Sequence, residues 1–143
     1  MVLGCFVAQR VALALGLAIA LGVEGYNSLD LSGISAGFSD GNEASLMVLY
    51  DGVDSNYVDS WFMRGYNVIV FDPDTLGYAS SSKFDIFDDA SESAAMLSFL
   101  LGVPERSVVA VIALDAVDHW ADVHTGDDLK NYMSAVFGAS DFA

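Results

Sequence analysis

The chain has 143 residues, with 20 acids against 5 bases and a formal net charge of −15. That balance excludes nucleic-acid binding, which needs clustered Lys and Arg, and disfavours docking on an anionic membrane surface. The length suits one domain with a real core, and much of the apolar excess lies in the first 23 residues.

Those residues are apolar except for Gln9 and Arg10. Val11 to Val23 is an apolar run just after a base, which fits the core of a signal peptide. Counted from Val2 the segment approaches the roughly 20 residues of a membrane span. The expectation is an N-terminal apolar helix in residues 1–25, acting as export signal or as an anchor through residues 2–23, ahead of a domain over 26–143. The compartment is then exported, lumenal or extracellular. Cys5 is the one cysteine, so no disulfide forms within the domain and the redox compartment stays open.

Leu31 to Phe38 alternates as an edge strand, with Ile34, Ala36 and Phe38 on one face. Ser39-Asp40-Gly41-Asn42 is a turn signal, and Ser45 to Tyr50 is the next strand. Asp51-Gly52 turns the chain, and Val53 to Phe62 reads as a loop or an irregular strand. Val68 to Phe71 is an unbroken β-branched and aromatic run, the pattern of a strand covered on both faces. Asp72-Pro73-Asp74-Thr75 stops it, because proline donates no ladder hydrogen bond and presets a turn. Tyr78 to Ile86 then pairs back as a hairpin.

A helix is expected over Ser91 to Leu101, with Asp89 and Glu92 as its start signal and Gly102 and Pro104 as its stop. Met96, Leu97, Phe99 and Leu100 are its buried face. A second buried strand follows at 107–113, then an Asp-rich loop over 114–124. The last helix is expected from Thr125 to about Phe137, with Leu129, Tyr132, Met133 and Val136 as its apolar stripe. The fold class is α+β, a sandwich of sheets with two flanking helices.

Chemistry-bearing patterns are weak. Gly33-Ile34-Ser35-Ala36-Gly37 matches G-x-S-x-G, but a polar turn rather than a helix follows it, so a nucleophile elbow is not expected. His119 and His124 with Asp115, Asp118 and Asp122 lack the spacing of a zinc site. Asp51, Asp54, Asn56 and Asp59 lack the spacing and terminal glutamate of a calcium loop. No catalytic residue, metal site or cofactor is expected. Trp61 and Trp120 fall in loop-like segments and are the aromatic candidates for a contact surface.

In this order the residues resemble the ILEI/PANDER domain, named after the interleukin-like EMT inducer and the pancreatic-derived factor. The resemblance rests on Ser35 to Asn42 (SAGFSDGN), on Arg64 to Gly77 (RGYNVIVFDPDTLG), on Phe84-Asp85, on Phe99-Leu100 at a helix end, and on Asp115 after a strand. It spans about residues 33–138. Leu76 is an insertion that lengthens the turn, and Leu114 stands where members often have Lys. Members continue past the last helix into a further strand, so the chain ending at Ala143 leaves an expected open sheet edge.

The resemblance implies a secreted or lumenal sandwich with no known catalytic chemistry. Members act as cytokine-like factors, and a similar domain in a glycosyltransferase stem binds sugar. The expected function is a non-catalytic interaction module, a membrane-anchored or exported accessory subunit that meets a protein partner within a membrane complex or by edge-strand pairing, with carbohydrate binding as the alternative. Its expected binding residues are Trp61, Arg64, Asp115 and Trp120.

Overall fold

The computed structural model describes residues 6–9, 25–37, 41–57, 61–115 and 125–138. The centre is the run anticipated from sequence. In β5 (Gly65–Phe71) every residue is buried, because both faces of the strand are covered. Tyr66, Val68 and Val70 point into one core with Ile86, Met96 and Leu129. Ile69 and Phe71 point the other way, into a second core with Leu46, Val48 and Phe62. The period of two along a strand divides one apolar run between two cores.

β7 (Val108–Leu114) is divided in the same way: Val109, Val111 and Ala113 join the first core, and Val108, Ala110 and Ile112 the second. It lies antiparallel beside β5, pairing Gly65 with Leu114 and Phe71 with Val108. β6 (Tyr78–Phe84) returns from β5 as the expected hairpin. β1 (Phe6–Gln9) runs antiparallel on the far side of β7, giving the order β1-β7-β5-β6.

A second sheet, of order β2-β3-β4, is formed by β2 (Leu29–Ser35), β3 (Ala44–Tyr50) and β4 (Val53–Tyr57). It covers one face of the first sheet. Two helices, α1 (Ser91–Leu101) and α2 (Asp127–Phe137), cover the other. The result is two antiparallel sheets with two flanking helices, the α+β class expected.

Several local expectations change. Of the apolar N-terminal segment only Phe6–Gln9 lies among the described residues, and it is a strand rather than a helix. β2 spans Leu29–Ser35 rather than Leu31 to Phe38, and its inward phase is that of Leu29, Leu31 and Ser35: the two leucines pack against the second core and Ser35 is buried, while Ile34 is 45% exposed. The reason lies in Ser35, whose hydroxyl donates to the carbonyl of Ala113 at 3.0 Å and accepts from its amide at 2.9 Å. Two buried backbone groups at the end of β7 are satisfied only when Ser35 points inward. The serine of the G-x-S-x-G match is therefore a tie between the sheets.

Val53 to Tyr57 is the irregular strand of the two alternatives expected: its register with β3 shifts between Val48 and Leu49, and the two are joined by a two-residue turn in which Asp51 and Gly52 both have positive φ, 52° and 76°. Asp-Gly supplies that turn geometry, which matches the twist of the flanking strands. The Asp51 carboxylate accepts the amides of Asn27 and Ser28 at 2.7 and 2.8 Å, so it secures the approach to β2. Asp89 accepts from the Ser91 amide at 2.8 Å at the start of α1. Gly102 ends that helix in right-handed geometry, with no left-handed cap. α2 begins two residues later than expected, at Asp127. Leu97 and Phe99 pack at the edge of the first core, and Met96 and Leu100 lie fully inside it.

Candidate functional site

Arg64 precedes β5, and the local sequence decides where it stands. Gly65 has φ +93°, and a Cβ there would lie 2.2 Å from the carbonyl oxygen of Phe84. Only glycine lets the start of β5 pass so close to the end of β6. Asn67, wholly buried, holds the approach: its Oδ1 accepts the Met63 amide at 2.9 Å, and its Nδ2 donates to the Met63 carbonyl at 2.8 Å and to Ile112 at 3.2 Å. The R-G-x-N pattern is thus a device for bringing the 61–64 segment beside Asp85.

Arg64 makes a two-pronged contact with Asp85, Nε to Oδ1 at 2.9 Å and Nη2 to Oδ2 at 2.8 Å. Asp88 stands 3.6 Å from the same Nη2, and the guanidinium lies over the Phe87 ring at 4.8 Å. The planar fork matches a carboxylate and stacks on an aromatic face at once. Hydrogen bonding to Asp85 is the largest effect on Arg64 and raises its pKa; Asp88 and Asp115 add to this through their charge. The group is a fixed cation, not a proton donor.

Trp61 is half-buried against the second core and meets Phe62 edge-on at 5.9 Å. Lys83 of β6 places Nζ 4.3 Å from the Trp61 ring centroid, a cation–π contact. Arg64 and Lys83, two of the chain's five bases, share a depression of about 300 Å³ with Met63, Asp85, Asp88 and Glu92. Trp61 also borders a cleft of about 370 Å³ between the sheets, lined by Leu46, Val48, Tyr50, Ile69 and Tyr78. Tyr50 stacks on Tyr26 there at 4.0 Å, and burial is the main cause raising its phenol pKa.

Trp61 and Arg64 therefore stand at one corner of the molecule. Asp115, the residue after β7, has φ +60° and acts on Arg64 through its charge. Trp120, His119, His124, Asp118 and Asp122 lie outside the described residues, as does Asp59. Among the described residues no group of three or more His, Cys, Asp or Glu side chains is arranged to hold a metal ion. No helix among them is long and apolar enough to cross a membrane. No motif in the sequence marks Lys83, Phe87 or Asp88. Alternation in β6 gives Lys83 a face, but nothing local announces that Trp61 lies under it.

A comparison with curated proteins returns no match. The family described as interleukin-like EMT inducer, ILEI, matches residues 64–143. The match begins at the arginine that anchors this corner and takes in β5, β6, α1, β7 and α2; the Ser35 to Asn42 stretch precedes it. With more than half of its length matched, the chain belongs to the ILEI family.

Proposed function

We propose that this is a non-catalytic, exported interaction domain of cytokine-like type, which meets a protein partner through the corner built by Trp61, Arg64, Lys83, Asp85 and Asp88. One observation carries the reading. Two of the chain's few cations are held rigidly over aromatic rings at an accessible corner, Arg64 over Phe87 and Lys83 over Trp61. Fixed arginine and half-exposed tryptophan are the side chains most enriched where binding energy concentrates. They are pre-organised, so little entropy is lost on binding. Acidic groups surround them, and a net charge of −15 favours a partner with a basic face.

Family membership supports export and a cytokine-like role. A sugar ring is the second candidate ligand. It would stack on the Trp61 face that Lys83 now occupies, so the protein partner is preferred. The test is binding of the labelled full chain to cells or extracts from its native source, compared for wild type, W61A and D85A. Binding weaker by about tenfold or more in both variants, measured at a temperature where both remain folded, is the expected result. Binding that survives both substitutions sinks the reading. A glycan-array signal lost in W61A would move the assignment to carbohydrate.

A further inference from the structure

β7 differs from the strands at the sheet edges. β6 carries Ser80, Ser81, Ser82 and Lys83, and β2 carries Asp30 and Ser32. Charge and polarity of this kind keep an edge from recruiting foreign strands. β7 reads VVAVIAL, with no polar residue, and Val108 to Ala113 are buried. Its sequence is that of an interior strand, and its outer side is completed by separate pieces of chain. Ser35 Oγ takes the amide and carbonyl of Ala113, and Phe6–Gln9 pairs with Val111 to Val108.

The alternation of an antiparallel ladder assigns the remaining groups. Ala113 points its amide and carbonyl outward, to Ser35. Val111 and Val109 therefore also point outward, to Phe6 and Ala8, while Ile112 and Ala110 point to β5. The segment that completes the outer edge belongs to the apolar N-terminal stretch that the sequence marks as export signal or anchor.

We propose that the outer edge of β7 is a strand-acceptor site. Its ligand is an extended, uncharged apolar peptide strand running antiparallel to β7. Phe6–Gln9 supplies that strand in cis, and a strand of a partner polypeptide takes its place when the N-terminal segment is released. Backbone hydrogen bonds to Val109 and Val111 give such a strand its hold, as in β-strand addition generally. The biological occasion rests on the reading of the chain as an exported interaction domain; the acceptor edge does not depend on the Trp61 corner.

Residue-resolved amide exchange on the full chain tests it, with A8P as the variant that removes an inward donor from β1. The expected result is exchange at Val109 and Val111 at least about tenfold faster in A8P, with Ala110 and Ile112 unchanged. A synthetic peptide of residues 2–9 added to A8P restores the two protections, and the same peptide carrying proline at position 8 does not. Equal exchange at Val109 and Val111 in wild type and A8P overturns the proposal, as does a peptide that restores nothing. Should A8P unfold, so that Ala110 and Ile112 also exchange, native-state exchange of the unaltered chain in mild denaturant replaces it. Val109 and Val111 must then open in a separate step before Ala110 and Ile112, and simultaneous opening overturns the proposal. Partner binding that survives W61A while A8P still captures the peptide sinks the corner reading alone, and binding lost in W61A with no peptide capture by A8P sinks the acceptor edge alone.

Discussion

The hairpin of β5 and β6 is closed at each end by an aspartate, and the two work by different physics. At the turn, Asp72 Oδ1 accepts the amides of Asp74 and Thr75 at 3.0 and 2.8 Å and the Thr75 hydroxyl at 3.0 Å, all within three residues. At the open end, Asp85 holds Arg64 from across the ladder, 21 residues away. The turn is a local structure that the chain can form before the sheet exists. The Arg64 corner exists only once Gly65 and Asn67 have drawn the two strand ends together. The local device gives shape, and the long-range one presents charge at a surface.

The largest effect should come from breaking the corner at its closest approach. G65A places a methyl group against the Phe84 carbonyl at a positive φ, and the domain should lose about 3 kcal/mol or more of stability. Denaturant unfolding reads this directly; a loss below about 1 kcal/mol would mean that β5 and β6 part easily at that end.

N67A comes next. It strands the Met63 amide and carbonyl and leaves a polar hole beside Ile112, at an expected cost of about 2–4 kcal/mol. The same variant should weaken partner binding by more than its stability loss explains, because the 61–64 segment is no longer pinned. Binding measured well below the unfolding midpoint checks that.

D72A should cost least, about 1–2 kcal/mol, and its cost should depend on pH. The Thr75 amide, then that of Asp74, holds the Asp72 carboxyl below its ordinary value of 3.8. A carboxyl depressed by folding stabilises fully above the unfolded value, and that contribution is lost as pH falls through the folded value. The gap between wild type and D72A should therefore be constant near neutrality and shrink below 3.8. A gap that is the same at pH ~2 would show that the carboxylate charge contributes nothing to the turn.

The same division between local and distant explains how far the molecule was legible. β5, β7, α1 and the β5–β6 hairpin follow from patterns completed within a dozen residues. The Asp51-Gly52 hairpin is equally local, and the short polar sequence of β4 leaves loop and irregular strand open until its pairing with β3 decides. The inward phase of β2 is not legible locally, because apolar side chains occur in both of its phases; Ser35 meeting Ala113, 78 positions later, decides it. At the corner, residue type and resemblance point to Trp61 and Arg64, while only proximity in the fold joins Lys83 and Phe87 to them. Leu76 was recognised as an insertion, and in the fold it takes a φ of 60° to let Asp72 pair with Gly77.

By itself the sequence determined the acidic surface, the two strands buried on both faces, both helices with their inward stripes, and the resemblance to the ILEI domain. Those properties depend on composition, on short periodicities and on turn residues whose conformational preferences act within a few bonds. Only the tertiary structure decided which face β2 buries, which cation covers which ring, and that the apolar N-terminal stretch supplies a strand to β7. Each of these is a contact between residues far apart in the chain. No local preference encodes such a contact; it is set by which buried backbone and side-chain groups must find partners once the sheets have closed.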